Sequence, residues 1–176
     1  MEYKSEEEFL KSYNQNEYDR LSVTTDIILF SVSDVYQDNY RKTNEKAMSV
    51  LMVKRSTYPF KDKWCIPGGF LRLNEELDDC PKRILEEETN LKDIYMEQLY
   101  TFGRIDRDPR MRIVSTAYMA LIDKNTLKDS LSENAKWFNI DYSEKNDVIN
   151  LVLSNENNQI IIKAKKELID STTRKI

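Results

Sequence analysis

From Val23 the chain runs VTTDIILFSV and then, after the polar stretch SDVYQDNYRKTNEKA, continues as MSVLMVKR. Both runs are rich in β-branched and apolar residues, which predicts two strands joined by a mobile polar loop. Beyond Pro67, Gly68 and Gly69 the spacing changes. Leu77, Cys80, Ile84 and Leu91 recur at helical intervals, so a helix is predicted from Asn74 or Glu76 to about Leu91. Pro81 falls several residues into that helix and predicts a bend, because proline removes a backbone donor. Strands are expected again at YMEQLYTF and RIVSTAYMALI, on either side of GRIDRDPRMR. A short strand, KWFNI, follows the polar stretch DKNTLKDSLSENA. INLVLS and QIIIKAK, separated by NENN, predict a hairpin, since asparagine tolerates the positive φ of tight turns.

The order strand, strand, helix and then three strands points to an α+β or α/β sandwich rather than a regular βαβ array. A chain of 176 residues with 40% hydrophobic content can bury one good core. The expected organisation is an N-terminal helical arm over 1–21, a single domain over 22–145, and a C-terminal hairpin and tail over 146–176. The last ten residues are too polar to assign.

Charge and composition narrow the functions. The net charge is −4 and the pI about 5.1, so no basic surface stands out and nucleic-acid binding by this chain alone is disfavoured. No apolar run approaches the roughly 18 residues of a membrane span. The acidic start MEYKSEEEF is unlike a secretory signal, and a cytoplasmic location is expected. The chain has no histidine, which removes Ser-His-Asp and Cys-His catalysis together with histidine-ligated zinc. Cys65 and Cys80 form neither a disulfide framework nor a metal-ligand spacing and are expected to be small core residues.

Two of the three glycines are adjacent, at Gly68 and Gly69, between a strand and a helix. Glycine allows close backbone approaches that a β-carbon would block, as a loop beside phosphate or metal often requires. Arg72 to Glu88 then holds seven acids (Glu75, Glu76, Asp78, Asp79, Glu86, Glu87, Glu88) against three bases (Arg72, Lys82, Arg83), an excess equal to the net charge of the whole chain. A helix face carrying Glu87 and Glu88 near Glu75 could hold Mg²⁺ or Mn²⁺, since Mg²⁺ takes one or two carboxylates plus water and phosphate oxygens. A solvated acidic helix has the same composition.

Read from Gly69, GFLRLNEELDDCPKRILEEETNL resembles the Nudix box: glycine, five residues, glutamate, seven residues, then Arg-Glu-aliphatic-x-Glu-Glu-x-Gly-aliphatic. Gly69, Glu75, Arg83, Leu85, Glu87, Glu88 and Leu91 fall in register. WCIPGGF and KWF are similar to flanking elements of that family. TFGRIDRDPRMRIVSTAYMALI resembles the ADP-ribose pyrophosphatases and the Nudix-related transcriptional regulators. The resemblance covers about Val23 to Ile140. It implies a Nudix-type α/β/α sandwich with a mixed sheet, an ADP-ribose-like nucleotide as small-molecule substrate or ligand, and Mg²⁺ or Mn²⁺ as cofactor. It also implies roles: Glu87 and Glu88 as catalytic, metal-binding carboxylates, Glu75 supporting the metal, and Arg83 orienting them. Gly68, Gly69, Arg107, Asp108 and Arg110 would contact substrate, because the arginine fork suits pyrophosphate oxygens. Relatives of this kind often form homodimers.

Two box positions depart from the pattern. Asn90 stands for the late glycine and can still end the helix in the left-handed conformation. Ile84 stands for the first glutamate of the Arg-Glu pair and can neither bind metal nor activate water. Losing a general base commonly costs ~10²–10⁴ in rate. Ile84 equally extends the apolar stripe of the helix. Glu133 is the nearest acid, by order along the chain, that could act in its place. The expected function is therefore a metal-dependent hydrolase of ADP-ribose or a similar compound, with a non-catalytic domain that senses such a ligand as the alternative, because Ile84 replaces the box glutamate.

Overall fold

The computed structural model describes residues 4–14, 16–35, 45–127 and 131–166. The N-terminal arm forms one short helix, α1 (Glu6–Ser12), capped by Ser5, whose side chain accepts from the Glu8 amide at 3.2 Å. None of its residues is buried. Two β-rich runs become the long strands β1 (Ser22–Val35) and β2 (Glu45–Lys54). They pair antiparallel from Phe30↔Val50 to Val35↔Glu45. Positions 36–44 of the polar loop between them, the last ten residues and 128–130 lie outside the described residues.

Two short strands follow, β3 (Trp64–Cys65) and β4 (Gly68–Phe70), then helix α2 (Cys80–Thr89). Next come β5 (Glu97–Phe102), β6 (Ile113–Ile122), β7 (Ala135–Lys145), β8 (Val148–Ser154) and β9 (Gln159–Lys165). Among the described residues these make one nine-stranded sheet, in the order β5-β6-β1-β2-β7-β8-β9, with β3 on β2 and β4 on β1. The sheet is mixed, because β6 runs parallel to β1 while the other pairs are antiparallel. The α+β expectation holds, as does the hairpin, now β8 and β9 paired from Val148↔Lys165 to Ser154↔Gln159. The KWFNI strand is longer than expected. It extends to Lys145 because the hairpin supplies it with a partner from Asn139↔Ser154 to Lys145↔Val148.

Strand periodicity sends alternate residues of β1 to opposite faces. Ile27 and Leu29 meet Leu51, Val53 and the α2 residues Cys80, Ile84 and Leu85 in one core. Ile28 and Phe30 join Val50, Met52, Phe138 and Leu153 in the other, with Trp64, Ile66, Leu151 and Ile160 packed against it.

The helix begins later than its apolar spacing suggests. Residues 74–79 are turns, a bend and irregular backbone, α2 starts at Cys80, and Pro81 sits in the first turn. Proline is well tolerated there, since the amide it lacks would have no partner within the helix, so the predicted bend does not arise. At the other end Asn90 is left-handed (φ 65°, ψ 12°) and its amide donates to the Glu86 carbonyl at 2.9 Å, as its substitution for glycine implied.

Candidate functional site

β1 and β4 bring the adjacent glycines under the C-terminal half of α2. Thr25 pairs with Gly69 and Asp26 with Gly68, and the Ile27 amide donates to the Pro67 carbonyl at 2.8 Å. The backbones approach closely enough that a β-carbon on Gly68 would collide with Asp26 Oδ1 and come within 3.0 Å of the Thr25 carbonyl. One on Gly69 would lie 3.1 Å from Ile84 Cδ1. Ile84 is 3% exposed and fills the space above Gly69. The position where the box pattern has a carboxylate is therefore part of the core.

A cavity of about 530 Å³ opens beside this junction. Gly68, Gly69, Glu87, Glu88, Arg107, Asp108 and Arg110 all line it. Glu88 is half-buried and accepts from the Gly68 amide through Oε2 at 3.2 Å. Burial pushes its carboxyl above the usual range, although the Gly68 amide and Arg55 oppose that shift. Glu87 is more exposed and accepts from Arg72 and from Arg83, each at 3.0 Å.

Arg83 and Glu75 stand behind the cavity wall rather than in it. The guanidinium donates through Nε and Nη2 to the two oxygens of Glu75, at 2.6 and 2.9 Å, and through Nη2 to the Phe70 carbonyl at 3.1 Å. Glu75 also accepts from the Arg72 amide at 3.1 Å. Arg83 holds the Glu75 carboxyl down at about 2. The arrangement ties β4, the turn before α2 and α2 itself together, and it occupies both oxygens of Glu75.

Across the cavity, Arg110 donates to Asp108 through Nε and Nη2 at 2.9 and 2.8 Å, which keeps the Asp108 carboxyl at about 2. The same guanidinium lies 5.5 Å from the centre of the Phe70 ring. Arg107 points at Asp26, 3.6 Å away, and Asp26 also accepts from the Ser115 hydroxyl.

Sequence reasoning did not single out Asp26, Lys54, Arg55 or Tyr58, which also line the cavity. A lone acid inside the apolar run VTTDIILF was the available signal for Asp26. Nothing local marks the other three. Ser132 and Asn134 also line the cavity, whereas Glu133 between them is exposed and is not part of the lining.

Glu87 and Glu88 are the box carboxylates that reach the cavity, and among the described residues no cluster of three or more Asp, Glu or Cys is close enough to hold a metal. Among the described residues the lining also carries Lys54, Arg55, Arg107 and Arg110 against Asp26, Glu87, Glu88 and Asp108, four charges of each sign. A pyrophosphate would leave that balance strongly negative. Two carboxylates suit a divalent ion whose other positions are filled by water or further oxygens better than an ion held by protein alone.

A sequence model of the NUDIX domain matches residues 38–155, well over half of the chain. The chain belongs to the Nudix family. Its sequence is 31% identical over 150 residues to an ADPR responsive transcriptional repressor, NtrR, of Acinetobacter baylyi, covering 83% of this chain and 56% of that protein. It is 32% identical over 84 residues to an ADP-ribose pyrophosphatase of Methanocaldococcus jannaschii, covering 48% and 50%. This Nudix chain therefore spans about half the length of the curated relatives it matches. Its fold superposes on the NUDIX domain of Shewanella oneidensis NrtR, solved in complex with ADP ribose, with a TM-score of 0.59 and 33% identity over 76% of this chain and 82% of that one. Among the described residues no helix of the Nudix chain is long and apolar enough to cross a membrane.

Because burial raises Glu88 above its ordinary 4.5, its ionisation opposes folding: the fold is favoured below that value and loses ground as pH rises through the higher folded-state value. Glu88→Gln keeps an oxygen for the Gly68 amide and removes the charge. The variant is expected to melt above the parent at pH 7 without divalent ions, with the gap closing as pH falls below 4.5. Thermal melts across pH 4 to 8 check this, and a lower melting temperature at pH 7 would show that the ionised carboxylate stabilises this junction.

Proposed function

We propose that the cavity binds a nucleoside diphosphate of the ADP-ribose type together with Mg²⁺ or Mn²⁺, and that the domain senses this ligand rather than turning it over rapidly. Ile84 carries the second half of the reading. It is buried against Gly69, where the box pattern has a carboxylate, and Glu75 is committed to Arg83. Binding needs less than catalysis: Arg107 and Arg110 bring positive charge to the cavity for phosphate oxygens, Arg110 while its Nε and Nη2 donate to Asp108, and Glu87 and Glu88 bring carboxylates, Glu87 while Arg72 and Arg83 each donate to one of its oxygens. The ion would offset the charge of the pyrophosphate when bound. The relatives support the ligand class, since one is named for its response to ADPR, another for cleaving ADP-ribose, and a third was solved with ADP ribose. The net charge of −4 supports a chain that makes no nucleic-acid contact by itself.

A second reading, hydrolysis, is favoured by one observation: Glu87 and Glu88 line the same cavity as both arginines. In that reading water attacks one phosphorus, the bridging P–O bond breaks, and AMP and ribose 5-phosphate leave.

One experiment separates the readings. Purified protein is incubated with ADP-ribose, with and without Mg²⁺ or Mn²⁺, while AMP release and binding are followed in the same samples. The expected result is binding tightened by the ion, with AMP release far below the ordinary range of about 1–10³ s⁻¹. Turnover in that range, abolished by Glu87→Gln with Glu88→Gln, would establish the hydrolase instead. Absence of both binding and AMP would remove ADP-ribose as the ligand.

A further inference from the structure

Resting on the reading of the cavity as a nucleotide site, we infer that Tyr58 is the platform on which the planar base of the ligand stacks. The chain has ten tyrosines, six phenylalanines and two tryptophans, and among the described residues two of these rings line the cavity, Tyr58 and Phe70. Phe70 already lies against the Arg110 guanidinium. Tyr58 is 82% exposed and engages no ring or guanidinium among the described residues, so its π-face is open to a ligand.

The loop that carries Tyr58 is held closed by Arg55. Arg55 donates from its amide to the Lys63 carbonyl at 2.9 Å and accepts from the Asp62 amide at 2.9 Å. Its side-chain Nε donates to the Pro59 carbonyl at 2.8 Å, across the residues that flank Tyr58. A ring presented on a braced loop loses little conformational freedom when it stacks, which is what makes an exposed aromatic an effective contact. Ser56 and Thr57 line the cavity beside it and offer hydroxyls to a ribose or a base edge. The lining thus divides chemically: charged groups and glycine backbone for the phosphates, and an aromatic face with hydroxyls for the nucleoside. Stacking tolerates any base, because every base has a π-face. Tyr58 therefore secures the presence of a base rather than its identity.

The test compares ADP-ribose with ribose 5-diphosphate, which keeps the pyrophosphate and one ribose but lacks the base, by calorimetry with Mg²⁺ present. Tyr58→Ala is expected to weaken ADP-ribose binding by ~10-fold or more, the usual worth of a base–aromatic stack. Ribose 5-diphosphate should be bound equally by both proteins, and Tyr58→Phe should stay within about 2-fold of the parent for ADP-ribose because the stacking ring remains. Tyr58→Trp adds a direct readout, since its fluorescence should be quenched by ADP-ribose and not by ribose 5-diphosphate. If ADP-ribose binds and Tyr58→Ala weakens both ligands equally or neither, the stacking role is overturned while the site stands. If the parent binds neither ligand, the nucleotide reading and the stacking role fall together.

Discussion

Replacing Arg83 by alanine is expected to destabilise the domain by about 2–4 kcal/mol, somewhat less than removing one member of a fully buried ion pair because this pair is partly buried. The Arg83 and Glu75 side chains are 20% and 11% exposed, so the remaining carboxylate would be left charged in a place with little water. The loss is larger than for one surface pair because the guanidinium also holds the Phe70 carbonyl and Glu87. For a chain of this size the melting temperature should fall by roughly 5–15 °C. Lysine should not rescue it, since one ammonium cannot reproduce the two-pronged contact with Glu75.

The pH dependence adds an independent check. Glu75 has a folded-state value of about 2, below its ordinary 4.5. The stability it contributes is therefore present in full above 4.5 and is lost as pH falls from there towards 2. Urea titrations between pH 7 and pH 2.5 should show the parent losing this increment in that window, and Arg83→Ala lacking it. Equal acid sensitivity in the two proteins, or a loss at pH 7 below about 1 kcal/mol as for exposed pairs, would place the ion pair among surface contacts of little consequence.

Gly68→Ala is expected to damage the site more than any change at its neighbour. The added methyl would meet Asp26 Oδ1, and the Thr25 carbonyl stands 3.0 Å away on the paired strand, so rotating one side chain does not clear the space. Asp26 cannot turn freely either, because it accepts from Ser115 and faces Arg107. Either β4 shifts away from β1, carrying the Gly68 amide off Glu88, or Asp26 moves and Arg107 loses its anchor. A stability cost of about 1–3 kcal/mol follows, as for other overpacked sites. ADP-ribose affinity should fall by ~10-fold or more, the worth of one charge-assisted contact.

The other two glycines are controls. Gly69→Ala would press on the end of the Ile84 side chain, at 3.1 and 3.3 Å, which can yield, and shortening it in Gly69→Ala with Ile84→Val should restore stability. A β-carbon on Gly103 meets nothing within 4 Å, so Gly103→Ala should be neutral. Calorimetric binding and denaturation of the three variants decide the matter. Gly68→Ala matching the Gly103 control would mean that the β1–β4 junction relaxes freely.

Elements whose signal is local are legible in the sequence. The β-branched runs became β1, β2 and β6, and the INLVLS and QIIIKAK runs became the β8–β9 hairpin. The helix is legible at its C-terminus, where Asn90 supplies a local left-handed turn, whereas at its N-terminus it starts later than the apolar spacing predicts. Apolar spacing from Leu77 onward suits a helix, yet Pro81 favours the first turn and Arg83 holds Glu75 in the preceding turn region, a preference that periodicity does not register.

The sequence by itself determined which chemical groups the chain can use and their spacing from Gly69 to Leu91: carboxylates and arginines with no histidine, and an isoleucine in place of one box glutamate. Spacing along one helix is covalent information, fixed at about 3.6 residues per turn. Only the tertiary structure decided which acids share a cavity. Glu87 and Glu88 reach it and Glu75 is taken by Arg83, while Asp26, Arg55 and Tyr58 arrive from β1 and the loop after β2. Those neighbours are set by strand pairing and core packing between segments far apart in the chain. Hydrophobic burial drives that assembly, and no pattern local to the box records it.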